Sequence, residues 1–334
     1  MRYPGKWRTW ARRLGRLLLT AVTLVLLFQM LFILYFRDFY GKAERAFWIP
    51  GLSDSFVPQG IDAWEGGFLL SGYLSSNNSA RLVWVGADGG KRLIRILRED
   101  GSLLRSHAGG VTVGGEFTYL AGGNGTCYVL STEDILGPDC HATTILGSFP
   151  TGNRASFCSR QGNLLLVGEY ARGQTFKTAE NHHLVTPSGE ENQALVTAFR
   201  LDGTEPLGVR ERPAAAYSIP YRVQGMCFSD DGRAILSVSG AFGASQLYLY
   251  DFQTVRSSSR DVFRLLDTVV PLYYIDRDDC VAVLHTPPKA EEVTFEDGKL
   301  YVLFESASLR FRYGKLVGGD YVYSLELPEF TPET

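Results

Sequence analysis

Val57-Pro58-Gln59-Gly60-Ile61, His107-Ala108-Gly109-Gly110-Val111, Asn153-Arg154-Ala155-Ser156-Phe157, Arg222-Val223-Gln224-Gly225-Met226 and Lys289-Ala290-Glu291-Glu292-Val293 open five similar units of this chain. A glycine turn follows each within eight residues, at Gly66-Gly67, Gly114-Gly115, Gln161-Gly162, Asp231-Gly232 and Asp297-Gly298. After each turn comes an apolar run of β-formers: 68–73 (FLLSGY), 117–123 (FTYLAGG), 164–170 (LLLVGEY), 234–240 (AILSVSG) and 300–306 (LYVLFES). A third run completes the pattern at 81–86 (RLVWVG), 127–131 (CYVLS), 194–201 (ALVTAFRL), 246–252 (QLYLYDF) and 320–327 (DYVYSLEL). Repetition at this scale describes small antiparallel sheets, each unable to bury both faces alone. An all-β, five-bladed β-propeller solves that problem by stacking each sheet against two neighbours.

Counting strands shows how the ring closes. Fourth strands are expected at 91–97, 143–149, 214–219 and 280–285, but the fifth repeat runs out of chain after Leu327. Residues 44–52 (ERAFWIPGL) can pair beside 321–327 and supply the missing strand. Such closure satisfies two sheet edges at once. The propeller is therefore expected over 44–330, with 331–334 as a tail.

The segment 17–36 (LLLTAVTLVLLFQMLFILYF) has Gln29 as its one strongly polar side chain. At a rise of about 1.5 Å per residue it reaches roughly 30 Å, the thickness of a bilayer's hydrocarbon core. Six basic residues (Arg2, Lys6, Arg8, Arg12, Arg13 and Arg16) and no acidic ones precede it. Residues 1–16 are thus expected in the cytoplasm, 17–36 in the membrane and 37–43 as a short stem, with the propeller extracytoplasmic by the positive-inside rule. The competing reading is a cleaved signal peptide, with Gly41-Lys42-Ala43 imitating a cleavage site. Its apolar run exceeds the usual length, and that site lies well beyond the run's end.

The whole chain of 334 residues carries 33 basic and 36 acidic side chains, net −3. Without the six N-terminal cations the balance is 27 to 36, which argues against nucleic acid as a partner of the body. Five cysteines without a C-x-x-C pair do not build a disulfide scaffold. Cys158 and Cys227 fall at equivalent repeat positions and read as small buried fillers. Cys127 and Cys140 are placed so that a strand-to-loop bridge is open to them.

In order along the chain, VPQGI, HAGG, NRASFC, VGEY with a later HHL, VQGM and LYVLFES resemble the motifs of a group of exported or membrane-anchored β-propeller proteins, mainly bacterial. The resemblance covers nearly everything after Val57. It implies a propeller in an extracytoplasmic setting and brings no activity with it. Five-bladed architecture is also similar to that of glycan-cleaving enzymes and calcium-dependent nucleotidases, but fold alone is a weak guide to chemistry.

The sequence carries no nucleophile elbow, H-E-x-x-H, P-loop or EF-hand loop. Gly240-Ala241-Phe242-Gly243 reads as a turn between strands. Asp276-Arg277-Asp278-Asp279 offers oxygen ligands but no cage, and reads as a solvated loop. His182 and His183 should point in opposite directions if their segment is extended.

Blade topology brings the chain into each first strand on the same face as the loops joining second to third strands. That face should collect His107, Arg154, Glu169, His182, Arg222 and Glu305, with long insertions at 171–193 and 306–319 above it. The bland alternative is that these residues bond backbone groups between blades. The expected function is a membrane-anchored module that binds an envelope glycan, peptide or small molecule through this face. The alternative is an extracytoplasmic hydrolase in which Glu169 and Glu305 divide acid and base roles or share a metal. Neither a catalytic set nor a cofactor is specified by the sequence.

Overall fold

The computed structural model describes residues 4–240, 243–258 and 261–327. The expected tail 331–334, the first three residues, and Ala241 and Phe242 of the glycine-containing turn lie outside the described residues. Five sheets form the ring. Blade 1 contains Phe56–Trp64, Gly67–Leu74, Ala80–Val85 and Lys91–Leu97; blade 2 contains Gly110–Val113, Phe117–Ala121, Thr126–Ser131 and Gly147–Pro150. Blade 3 contains Phe157–Gln161, Leu164–Gly168, Ala194–Leu201 and Val209–Ile219; blade 4 contains Val223–Phe228, Ala234–Val238, Ser245–Tyr250 and Cys280–Thr286. Blade 5 contains Ala290–Glu296, Lys299–Phe304 and Tyr321–Glu326, completed by Glu44–Trp48 from the N-terminal side. The innermost strands neighbour one another in cyclic order, so blade 5 closes on blade 1.

The closing strand pairs antiparallel with the last one, Glu44 opposite Ser324 and Trp48 opposite Tyr321. Five apolar wedges fill the spaces between blades. Leu82, Val111 and Leu130 lie in the first, Tyr119, Phe149 and Phe199 in the second, and Tyr217, Met226 and Phe252 in the third. Ile235, Val302 and Leu325 contribute to the fourth, and Ile61, Val83 and Leu303 to the fifth. Each blade has a neighbour on both faces, which is why Ala80–Val85 is buried throughout instead of alternating. Cys158 and Cys227 are buried in these wedges as expected, and all five thiols are free, so Cys127 and Cys140 do not bridge.

Three boundaries differ from the sequence reading. Of the segment expected as the fourth strand of blade 2, Ala142–Thr144 pairs in parallel with Lys91–Leu97 of blade 1, and only Gly147–Pro150 serves blade 2. The swap covers the otherwise open edge of blade 1. Blade 3 is extended by the hairpin Asp261–Leu265 and Thr268–Tyr274, whose second strand runs parallel to Val209–Ile219. The presumed stem is also structured. A helix runs over Pro4–Tyr35 and a further turn over Arg37–Tyr40, with Phe36 and Phe39 buried. Phe39 stands edge-on to Phe304 at 5.7 Å and Tyr323 at 5.4 Å between ring centroids, locking the helix end to blade 5.

The axis of the ring is filled by Glu292. Its carboxylate accepts the backbone N–H of Ile61 at 2.9 Å, Val111 at 3.1 Å and Cys158 at 3.1 Å, one donor each from blades 1, 2 and 3. A Cβ on Gly60 would lie 2.7 Å from this carboxylate, and one on Gly110 2.5 Å from it, so those strands approach closely only because both residues are glycine. Asp62 ties the next layer, accepting from Thr112 at 2.9 Å, Thr294 at 3.1 Å and the Val113 N–H at 2.8 Å.

Glu292→Ala should leave three N–H donors without an acceptor at the axis. At roughly 1–3 kcal/mol for each abandoned buried donor, the expected loss is on the order of 3–5 kcal/mol. Urea denaturation of the full chain measures it; a loss below about 1 kcal/mol would show that the ring does not depend on this carboxylate.

Candidate functional site

The upper face of the ring carries the loops between second and third strands, including the insertions at 171–193 and 306–319. Innermost strands of blades 1, 4 and 5 each carry a β-bulge just where they reach this face. The bulged residues are Gln59, Gln224 and Glu291 with Glu292. A bulge leaves its extra residue out of the ladder and re-aims the side chain. Here the effect is to gather polar groups from three blades over the Glu292 plug.

Glu305 is the centre of this group. It accepts a hydrogen bond from Gln59 Nε2 at 3.0 Å and pairs with Lys289 Nζ at 3.1 Å, all three side chains being nearly buried. Glu291 lies within hydrogen-bond reach of Glu305, and Gln224 Nε2 donates to it at 3.0 Å. Burial pushes the Glu291 carboxyl well above the usual carboxylate range, the negative charge of Glu305 adds to that, and Lys289 opposes it. Lys289 is held above its ordinary value: burial works against its charge, but Glu305 and Glu291 outweigh it. The Lys289 ammonium offsets the charge of Glu305, and the raised pKa of Glu291 favours its neutral form beside them. Around them stand Tyr73, whose ring lies 4.6 Å from that of His107, and Arg310, whose guanidinium lies over Tyr73 at 5.9 Å and Phe311 at 5.4 Å. Tyr170 closes the blade 3 side, its hydroxyl donating to Ser239 O at 3.2 Å.

The six residues singled out from the sequence fall into two networks and one bridge. His107 and Glu305 meet in the axial group. Glu169 and His182 form a separate buried node on blade 3, joined by the backbone N–H of exposed Arg154. There Glu169 Oε1 accepts from His182 Nδ1 at 2.6 Å and the Leu195 N–H at 3.1 Å, while Oε2 accepts the Arg154 N–H at 3.1 Å. The Arg154 guanidinium itself reaches outward to Lys177 O at 3.1 Å. The neighbouring histidines diverge: His183 turns to Glu191 at 3.3 Å and Thr178 at 3.1 Å. Arg222 sits on the seam of blades 3 and 4, its guanidinium 4.9 Å over the Tyr221 ring and its backbone bonded to Ala171 and Ser239. Glu169 and Glu305 accordingly belong to different networks.

Repeat equivalence reveals what the sequence reading missed. Aligning the three axial N–H donors shifts the third unit by one residue, so that Arg154 matches His107. Val57, His107, Arg154, Arg222 and Lys289 then stand first in their stretches, but the extra bulge residue of blades 4 and 5 moves Arg222 and Lys289 into the left-handed backbone position that Ala108 and Ala155 hold in blades 2 and 3. Third in the stretches stand Gln59, Gly109, Ser156, Gln224 and Glu291, of which Gln59, Gln224 and Glu291 are the bulged residues. Lys289 and Glu291 were visible in the opening stretch Lys289-Ala290-Glu291-Glu292-Val293, and the signal was their departure from the other four units.

Two concavities lie away from this mouth. One of about 700 Å³ runs beside blade 4, lined by Glu190, Tyr221, Gln246, Tyr248, Arg277 and His285. Another of about 110 Å³ opens on the lower face at Asp62, Ser159 and Thr294. Asp276, expected in a solvated loop, is instead buried and receives the Ser188 N–H at 2.8 Å. Among the described residues, no group of three His, Cys, Asp or Glu side chains is arranged to hold a metal ion.

No family model matches the chain, and no curated protein sequence does. Solved structures share its general architecture. The glutaminyl cyclase of Myxococcus xanthus superposes with a TM-score of 0.44 at 10% identity, over 85% of this chain and 94% of that one. A nidogen/laminin complex gives 0.38 at 11% identity, over 75% and 73%. The β-propeller domain of Myceliophteria thermophila Cps50 (Swd1) gives 0.33 at 9%, over 79% and 68%. At these values the likeness does not extend to chemistry.

The proton held by Glu291 has a measurable consequence. The folded state keeps it to higher pH than the unfolded chain, whose carboxyl releases it near the ordinary 4.5. Folding therefore takes up a proton as pH rises past that point, and stability falls across the window between the unfolded and folded pKa. Glu291→Gln should flatten this decline and raise the melting temperature at neutral pH relative to the parent chain. Thermal melts from acidic to mildly alkaline pH would decide it; parallel curves for both proteins would place the proton elsewhere.

Proposed function

We propose that this chain is a membrane-anchored, extracytoplasmic receptor module whose upper ring face captures an anionic, hydrogen-bonding ligand. The observation that carries the reading is the concentration of cations on one face of an otherwise acidic body. Arg154, Arg222 and Lys289 stand at the entries to the first strands of blades 3, 4 and 5, and Arg172 and Arg310 lie in the insertions beside them. Among the described residues, Arg154, Arg172, Arg222 and Arg310 pair with no carboxylate; Arg172 lies over Phe176 at 4.9 Å, as Arg222 does over Tyr221. A guanidinium group over an aromatic ring gains a cation–π contact without using its hydrogen-bond donors, which leaves them to a carboxylate, phosphate or sulfate. The axial carboxyl pair beneath supplies acceptors for hydroxyl or amine groups of the same ligand.

Anchoring is supported by the helix itself. Thr9–Tyr35 contains an 18-residue window of mean hydropathy 2.6 and is long and apolar enough to cross a bilayer. The one-sided basic flank supports an N-terminus in the cytoplasm. Hydrolysis is a second reading favoured by one feature, the Glu291 carboxyl held above its ordinary pKa beside Glu305. Such a pair resembles an acid–base dyad, and it would take the place that the alternative hydrolase reading of the sequence gave to Glu169 with Glu305.

Two measurements test the proposal. In detergent, the full chain should be stabilised by some member of a panel of phosphate, sulfated and carboxylated sugars. A ligand at a hundred times its Kd adds about 2.7 kcal/mol, and Arg154→Gln with Arg222→Gln should abolish that gain while leaving ligand-free stability nearly unchanged. Retention of the gain in the double variant would remove the face from the binding site. Separately, protease added to intact cells should digest the propeller and spare the N-terminus; a protected C-terminal tag on folded protein would reverse the topology.

A further inference from the structure

The insertion at 306–319 touches the apolar helix at a depth where a soluble loop has no reason to be. Gln29 Nε2, the one strongly polar side chain in the span, donates to Leu316 O at 3.1 Å, and the Tyr40 hydroxyl donates to Val317 O at 3.1 Å. Gln29 lies six residues before the helix ends at Tyr35, about 9 Å along the axis. An amide and a carbonyl at that level of a bilayer are costly unless they satisfy each other, and here they do.

Three apolar side chains of the same insertion are exposed: Leu309 at 55%, Tyr313 at 53% and Leu316 at 46%. Arg310 and Arg312 alternate with them, which is the composition of a segment lying in a headgroup layer. Apolar side chains enter the acyl boundary, tyrosine sits at the interface, and arginine reaches phosphate. Trp48, exposed on the outer edge of blade 5, pairs with Tyr321 just beyond the insertion and adds an aromatic at the same end of the ring. Phe32 and Phe36 pack against the wedge of blades 4 and 5, and the helix before Gln29 is exposed as it runs on beyond the upper face.

We infer that the insertion 306–319 is a second membrane contact, seated in the phospholipid headgroup layer beside the transmembrane helix, so that the upper mouth opens toward the bilayer. This rests on the anchoring proposed above. It deepens that reading by naming the chemistry at Arg310 and Arg312: the phosphate groups of bilayer phospholipids. Ligands would then reach the mouth along the membrane surface rather than from open solvent.

The test uses the full chain in lipid nanodiscs, with a fluorophore placed at one introduced cysteine in a Cys140→Ser, Cys280→Ser background, since the other three thiols are buried. Lipids brominated on their acyl chains quench fluorophores that reach the apolar layer. Labels at Leu309→Cys, Leu316→Cys and, within the helix, Leu24→Cys should lose fluorescence. A label at Asp297→Cys, in the lower-face turn of blade 5, should not. Quenching at position 24 with positions 309 and 316 as bright as 297 would overturn the inference while leaving the anchor in place. Absence of quenching at 24 as well would overturn both, and quenching at 297 would place the opposite face on the membrane.

Discussion

A single carboxylate at the ring axis holds together strands that share no ladder. Blades in a propeller are joined mainly by apolar wedges, which are non-directional and tolerate sliding. Glu292 adds direction: it projects from blade 5 and receives one N–H from each of blades 1, 2 and 3. The N–H groups at these positions point into a space too narrow for another chain, and without an acceptor each would be stranded. Burial raises the Glu292 pKa well above its ordinary range, with the three donors acting against that shift. Burying a carboxyl group is costly unless donors meet it, and the three N–H groups that do so fix the angular position of four blades at once.

This plug also determines what the ring can do. It divides the axis into an upper compartment around Glu291 and Glu305 and a lower one around Asp62, so the channel is no passage. Anything bound at the axis is bound from one side. Because the plug is supplied by the same strand that supplies Lys289 and Glu291, the polar mouth is built on the most constrained element of the fold. Pre-organised side chains on such an element lose little freedom when a ligand arrives.

Much of the architecture was legible because repetition is a redundant signal. Five openings, five glycine turns and five apolar runs remain readable when one unit is distorted. The closing strand was legible too, since blade 5 lacked a partner and the chain offered one at Glu44–Trp48. What escaped was non-local and low in redundancy. Ala142–Thr144 leaves its own blade to cover another's edge, and the hairpin over 261–274 extends blade 3 from outside the repeat. The site was only partly readable for a related reason. His107, Glu169 and Glu305 were found by their place on strand ends, whereas the bulges that turn Gln59, Gln224 and Glu291 inward are registers of pairing that no local pattern announces. Glutamate at 292, where Gly60, Gly110 and Gly225 stand in other repeats, was the one discordant letter that pointed to the axis.

The anchor and the mouth are coupled through blade 5. Tyr321–Glu326 pairs with the strand that follows the helix, and the loop just before it touches Gln29. Phe39 packs between Phe304, one residue before Glu305, and Tyr323. A shift of the helix end is therefore a shift of the element that carries Glu305, with only one packed ring between them. Charge on the upper face makes sense in that setting. A body rich in carboxylates is repelled by an anionic membrane, and if the insertion 306–319 meets lipid as proposed, the arginines at 310 and 312 would offset this. On the proposed reading the same cations would draw anionic ligands into a gap between ring and bilayer, where low dielectric would strengthen each contact.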